Sequence, residues 1–200
     1  MDTCCEARPV HARQRRTLQA VLGINLVMFA VELVSGLVAH STALLADSAD
    51  MLGDAIVYGF SLYVIGRAPA WQGRVALLKG GIMAAFGVGI LAEIVSKLLR
   101  GVTPDAAVMS SVALAALAAN ASVLALLWRH RADDLNMRSV WLCSRNDVLA
   151  NGAVLLAALG VSLSGSAWPD IAVGIGIAAL FAQSAVSIVR QALALPQPSR

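Results

Sequence analysis

Charged residues are scarce in this chain, and their scarcity excludes an ordinary soluble domain. Only 14% of the 200 residues are Asp, Glu, Lys or Arg, whereas 58% are hydrophobic. Aromatic residues make up 5%, and much of the apolar content is Ala, Leu, Val and Gly, the mixture used where helices pack closely in lipid. Cysteine is also rare, and Cys4, Cys5 and Cys143 do not suggest a disulfide framework.

Six apolar runs are each long enough to span the hydrocarbon core of a bilayer, which takes about 20 helical residues. The runs are 18–39, 41–66, 75–99, 106–128, 140–163 and 171–193. Because the connections between them are short, the pattern predicts an all-α polytopic membrane protein with six transmembrane helices. We expect a basic N-terminal tail over 1–16, the six-helix domain over 17–193 and a short tail over 194–200.

The basic residues predict the orientation of these helices. Six spans place both termini on one side of the membrane, and that side also receives most of the arginines. They are Arg8, Arg13, Arg15, Arg16, Arg67, Arg74, Arg129, Arg131, Arg138, Arg190 and Arg200. The other side holds Lys97 and Arg100, so both termini are expected in the cytoplasm. The location expected is the cell membrane, crossed several times, which in a prokaryote is the inner membrane. The pI near 9.1 follows from this asymmetry, and no nucleic-acid partner is expected.

Three carboxylates interrupt the second apolar run. Asp47, Asp50 and Asp54 fall at i, i+3 and i+7, so a helix places all three on one face. A carboxylate near the bilayer centre costs about 2.5–3.5 kcal/mol, and three on one stripe need compensation. A cation, protons or water would compensate the charge. If a cation does so, Asp50 and Asp54, at i and i+4, are its ligand pair. The alternative is a polar stripe that forms hydrogen bonds with neighbouring helices.

A second set of polar residues lies on the fifth predicted helix. Cys143, Asp147 and Asn151 recur every four residues and share one face. At 1.5 Å per residue, Asp147 and Asp54 both lie about 10 Å from the cytoplasmic edge. We therefore predict a metal site formed by Cys143 and Asp147 together with Asp50 and Asp54. A thiolate among carboxylates favours first-row divalent ions or Cd²⁺ over Mg²⁺ and Ca²⁺.

Several of these predictions leave alternatives open. Cys143 is either a ligand or a buried thiol that packs like a small apolar residue. Glu32, on the first helix, either accepts protons in the outer half of the membrane or bonds to a neighbouring helix. Asp47, Asn151 and Glu32 are secondary candidates for metal contact.

The remaining polar residues predict no further site. Cys4 and Cys5, with His11 nearby, match no structural zinc spacing, so a disordered tail is the favoured interpretation over capture of a soft metal. On the third helix, Glu93 and Lys97 are spaced to neutralise each other. The sixth helix is almost entirely apolar and is expected to contribute no chemistry.

Two patterns in the first two helices point to a known family. The first helix carries Asn25, Glu32 and Gly36, and the second carries LLADSADMLGD over residues 44–54. These patterns resemble the first helix and the second-helix signature of the cation diffusion facilitator family of metal exporters. The likeness extends over the whole membrane portion of the chain.

The resemblance also implies a transport site. The family takes a His-or-Asp, x, x, x, Asp pair from helix two and a similar pair from helix five. Here those positions are Asp50 and Asp54, then Cys143 and Asp147, so a cysteine replaces the usual histidine. A cytoplasmic metal-binding domain usually follows helix six in this family, and the 200 residues do not include one, so a short form is expected.

The function implied is efflux of a divalent transition metal, with Zn, Cd, Co, Ni and Fe as candidates. The family exchanges the metal for protons by alternating access. Its cytoplasmic domain supports dimerisation, so the usual dimer is not carried over to these 200 residues, and a homodimer is left as an open alternative. Competition of metal and protons for the same oxygens predicts such exchange independently. We expect no cofactor and no enzyme activity.

Two other functions fit parts of the pattern. Small membrane enzymes that transfer a phosphoalcohol from a CDP-linked donor also place aspartates at helical spacing, but their Asp-Gly-x-x-Ala-Arg run is missing here. A non-transporting metal-sensing accessory protein is the other alternative.

Overall fold

The computed structural model describes residues 15–63, 70–128 and 135–194, and their side chains except at 61, 63, 70–80, 83, 135–140, 142, 143, 181, 184, 185 and 187–194. Six helices follow one another along these residues and no strand occurs among them, so the all-α prediction is confirmed. The helices are α1 Arg15–Val38, α2 Thr42–Tyr63, α3 Ala70–Arg100, α4 Ala106–Trp128, α5 Leu135–Ser164 and α6 Trp168–Ala194. Most of both predicted tails, with Cys4, Cys5 and His11, lies outside the described residues.

Three tight turns lie together at one end of the bundle, which we call the Ser41 end. They join α1 to α2, α3 to α4 and α5 to α6. Gly101 and Gly165 end α3 and α5 with φ of 65° and 62°, a left-handed conformation that glycine adopts without a Cβ clash. Asp105 begins α4, where its carboxylate accepts hydrogen bonds from the amides of Ala107 at 2.9 Å and Val108 at 3.1 Å.

The second helix lies at the centre of the packing. The strongest helix pairs are α1 with α2, α4 with α5 and α3 with α6, and α2 also contacts α3, α5 and α6. At Gly36 the backbones of α1 and α2 come close, since a Cβ there would lie 3.0 Å from the Leu45 side chain and 3.1 Å from its amide nitrogen. A helix at the centre is shielded from lipid, which explains how α2 can carry three carboxylates.

Apolar and polar side chains are distributed as in a membrane domain. Leu99 and Leu163 are 82% and 80% exposed, while the buried polar residues include Glu32, Asp47 and Asn151. Three described helices, Arg15–Val38, Ala106–Trp128 and Ser144–Ser164, are long and apolar enough to cross a bilayer. The α2 segment is not among these three helices, because the stretch that would cross the bilayer contains three acidic residues, Asp47, Asp50 and Asp54. The cytoplasmic location of both termini remains a prediction.

Two of the apolar clusters lie towards opposite ends of the bundle. The larger cluster is at the Ser41 end and includes Leu44, Met109 and Ile171. The smaller one, at the other end, joins α1, α2 and α4 through residues such as Leu18 and Leu127. Along α2, Asp50 and Asp54 lie between the residues of the two clusters, and along α4 the buried Asn120 does the same.

Candidate functional site

Two helices bring the predicted carboxylates together. Asp54 on α2 and Asp147 on α5 are each only 5% exposed, and Asp50 is half-buried. The side chains of Asp147 and Asp50 lie within hydrogen-bonding reach of each other, and Asp147 also interacts electrostatically with Asp54 and Asp47. Carboxylates at helical spacing on α2 therefore lie in one buried layer with a carboxylate from α5.

Tyr58 is a member of this layer that the sequence analysis missed. Its hydroxyl donates a hydrogen bond of 2.8 Å to Oδ2 of Asp54, one turn earlier in α2, and its side chain is fully buried. The signal in the sequence was the i, i+4 spacing of a tyrosine from an intramembrane aspartate. The bond fixes the orientation of the Asp54 carboxylate in a region from which water is excluded.

The sulfur ligand predicted for this layer lies outside the described side chains. Cys143 is in α5, one turn before Asp147, and its role as a ligand remains a prediction. Among the side chains that are described, no three of Asp, Glu, His or Cys are close enough to hold a metal ion together. Of the carboxylates in this layer, Asp54 is engaged in the hydrogen bond from Tyr58.

Glu32 and Asp47 form a second buried layer nearer the Ser41 end. Both side chains are fully buried, and no carboxylate oxygen of either has a hydrogen-bond partner within the described part of the chain. Glu32 interacts electrostatically with Asp47 and with Asp50. An ionised carboxylate without a partner is costly in such a place, so this layer requires protons or a cation.

Buried amides accompany the two carboxylate layers. Asn151 donates from Nδ2 to the carbonyl oxygen of Asp147 at 2.9 Å, one turn earlier in α5. Its Oδ1, both polar atoms of Asn25 and Oδ1 of Asn120 have no partner among the described residues. These groups add neutral donors and acceptors beside the carboxylates.

The expected pairing of Glu93 with Lys97 is wrong. Lys97 instead forms a 2.6 Å ion pair with Oδ2 of Asp170, and Glu93 lies 3.9 Å from Nδ1 of His40. The expectation that the sixth helix contributes no chemistry is wrong for the same reason, because Asp170 is in the first turn of α6. A charged residue at the start of an apolar helix was the signal, since a buried charge needs a partner.

The comparison with protein families decides which family this bundle represents. The profile of the cation efflux transmembrane domain matches residues 18–73 and 74–195, nearly the whole chain. The chain belongs to this family. The resemblance seen in the first two helices is thereby confirmed, and so is the multi-pass membrane location.

Relatives of this cation efflux domain carry names that agree with the family. The metal cation efflux system protein CzcD of Cupriavidus metallidurans is 27% identical over 80% of this chain and 54% of its own length. The zinc transporter ZitB of Escherichia coli is 28% identical over 92% of this chain and 63% of its own length. An uncharacterised protein of Geobacillus stearothermophilus is 34% identical over 42% of this chain. The chain thus spans between half and two thirds of the two transporters.

Membership of the cation efflux family also decides between the functional classes. These domains are transport domains rather than enzymes, so the alternative of a CDP-alcohol phosphotransferase is excluded.

Proposed function

We propose that this cation efflux domain exports divalent transition-metal ions through a site between α2 and α5. The ligands are Asp50 and Asp54 from α2 with Asp147 and Cys143 from α5. The observation that carries the proposal is the layer in which buried Asp147 lies within hydrogen-bonding reach of Asp50 and interacts with Asp54. Relatives named as a metal cation efflux protein and a zinc transporter support the same function.

The ligand set defines the class of metal. Three carboxylates and one thiolate provide oxygen and sulfur donors, and sulfur selects against the hard ions Mg²⁺ and Ca²⁺. Zn²⁺, Cd²⁺, Co²⁺, Ni²⁺ and Fe²⁺ are the candidate substrates, and the domain needs no resident cofactor.

Protons are the second substrate in this proposal. Two carboxyl groups form a hydrogen bond only if one of them carries a proton, and Asp147 and Asp50 are within that reach. A metal ion that binds both must displace the proton. Glu32 and Asp47, which lack partners among the described residues, hold further protons on the side of the site towards the Ser41 end. Metal and protons then move in opposite directions, as in an antiporter.

Zinc uptake into everted membrane vesicles tests this function. We expect uptake with the wild-type chain, and none with Asp147→Asn, which keeps the shape of the side chain but removes its charge. Asp105→Asn is the matched control because Asp105 is an exposed helix cap away from the site. Wild-type rates in Asp147→Asn would refute the site. Binding without uptake in the wild-type chain would instead indicate a metal-sensing accessory protein.

The mass of the same protein, extracted from the vesicles in detergent, tests whether the chain forms a homodimer. A transport-competent chain that elutes from size-exclusion chromatography with the mass of one copy would refute the homodimer. Vesicle uptake and chromatography thus test metal transport and dimer formation separately.

A further inference from the structure

The carboxylate of Asp170 joins the start of α2 to two other helices. Its Oδ1 accepts hydrogen bonds from the Ser41 hydroxyl at 2.6 Å and the Ala43 amide at 3.1 Å. Its Oδ2 accepts from the Thr42 amide at 2.9 Å, the Thr42 hydroxyl at 2.6 Å and Lys97 Nζ at 2.6 Å. Asp170 belongs to α6 and Lys97 to α3, so one carboxylate connects α2, α3 and α6.

This arrangement caps α2 from outside its own sequence. The first amides of a helix have no partner within the helix, and the residue before it usually supplies one. Ser41 does so for the amide of Leu44 at 3.1 Å, while Asp170 receives the amides of Thr42 and Ala43. The side chain of Asp170 is fully buried and that of Lys97 is 1% exposed, so water cannot replace these bonds.

Backbone packing reinforces the polar contacts. A Cβ on Gly174, one turn after Asp170, would lie 3.0 Å from both Cβ and Oγ1 of Thr42. A side chain at position 174 would force α6 and α2 apart by a few tenths of an ångström. We call the contact of Asp170, Lys97 and Gly174 with Ser41 and Thr42 the α2 joint.

We propose that Asp170 and Lys97 are positioning residues for transport and that the α2 joint stays closed throughout the cycle. This inference rests on the proposed function, because the helix that the joint holds carries Asp50 and Asp54. Thr42 and Asp50 are separated by about 12 Å along a continuous helix, so a rotation or tilt at the joint moves the metal ligands. Movements that admit and release the ion then occur away from the joint.

Kinetic measurements on Asp170→Asn test the positioning role. Asparagine keeps the size of the side chain but gives Lys97 no counter-charge and replaces one acceptor oxygen with a donor. We expect the apparent KM for Zn²⁺ uptake to rise about tenfold, the lower end of the loss seen when groups that orient metal ligands are removed. Asp105→Asn, at another helix start of the same end, should match the wild type.

The two kinetic parameters separate positioning from simple stability. A stability defect lowers the amount of folded protein, and with it the maximal rate, but leaves KM unchanged. A wild-type KM in Asp170→Asn would overturn the inference. Failure of the wild-type chain to take up metal would count against the proposed function instead, so the two failures are distinguishable.

A cross-link tests whether the joint stays closed. Thr42→Cys combined with Gly174→Cys, with Cys4→Ser and Cys5→Ser, places two thiols at the contact, where the Cβ atoms need to separate slightly from 3.0 Å to form a disulfide. We expect oxidised and reduced vesicles to transport at the same rate, with cross-linking verified by mass spectrometry. A block that a reductant reverses would show that the joint opens and would overturn the proposal. Each single cysteine variant, oxidised in parallel, controls for effects on Cys143.

Discussion

The hydroxyl of Tyr58 lies 2.8 Å from Oδ2 of Asp54, and both side chains are buried inside the bundle. The two residues are one turn apart on α2, so the helix itself places their side chains next to each other. Tyr58 thus orients Asp54, which is a metal ligand in the proposed function. The pairing resembles the way in which outer groups orient the ligands of other metal sites.

Removal of this hydroxyl should weaken metal binding. Tyr58→Phe leaves the ring in place and removes the hydrogen bond that Tyr58 donates to Asp54, so we expect the affinity for Zn²⁺ to fall about tenfold. Isothermal titration of the purified protein in detergent measures this change. Ser122→Ala is the matched control, since the Ser122 hydroxyl is exposed and bonds only to the carbonyl of Ala118 in its own helix. Equal affinities in Tyr58→Phe and wild type would remove Tyr58 from the site.

The sequence predicted which carboxylates lie near one another better than it predicted the contacts around them. Asp54 and Asp147 were predictable because helical periodicity and the cost of intramembrane charge both depend on local sequence. The partner of Lys97 was not predictable, because Asp170 is 73 residues away whereas Glu93 is one turn away. Only the packing of α3 against α6 determines which carboxylate Lys97 reaches. The cap of α2 was not predictable either, because Asp170 of α6 provides it.

Proton counterflow should accompany metal transport, and Glu32 should contribute to it. In proteoliposomes that contain a pH-sensitive dye, Zn²⁺ flux is expected to move protons in the opposite direction. Glu32→Gln removes a buried titratable group but leaves Asp50, Asp54 and Asp147 in place, so we expect fewer protons per metal ion. Glu93→Gln is the control because Glu93 lies in the His40 contact at the Ser41 end.

Two results would contradict this coupling. Zinc flux without a pH change would indicate a uniporter. An unchanged proton-to-metal ratio in Glu32→Gln would remove the second carboxylate layer from the mechanism.

Asp47→Ala is expected to impair transport less than Asp50→Ala, because Asp47 is one step removed from the predicted ligand pair.

Close packing of α1 on α2 should make Gly36 intolerant of a side chain. In Gly36→Ala the new methyl group would meet Leu45 at 3.0 Å, so we expect the free energy of unfolding to fall by about 1–3 kcal/mol. Gly23→Ala, on the same helix with no atom within 4 Å, should leave stability unchanged or raise it, since alanine favours the helix. Thermal unfolding of both variants in detergent makes the comparison. Equal melting temperatures would show that α1 and α2 separate easily at this point.

Cysteine at position 143, where the family usually has histidine, should determine which metals the site prefers. A thiolate is softer than imidazole and carries a full charge, so it favours Cd²⁺ and Zn²⁺ over Mn²⁺. Cys143→Ser should therefore weaken Cd²⁺ binding much more than Mn²⁺ binding. Cys143→His should retain transport and shift the preference towards Zn²⁺.

The alternative for Cys143 is a thiol that only fills space in α5. In that case Cys143→Ala and Cys143→Ser would leave the order of metal affinities unchanged, because neither a methyl nor a hydroxyl group disturbs a site that sulfur never touched. Titration of all three variants with Cd²⁺ and Mn²⁺ separates the two roles. Equal losses for both ions would indicate a packing defect that reaches Asp147 one turn away. A loss confined to Cd²⁺ has no such explanation and requires sulfur in the ligand set.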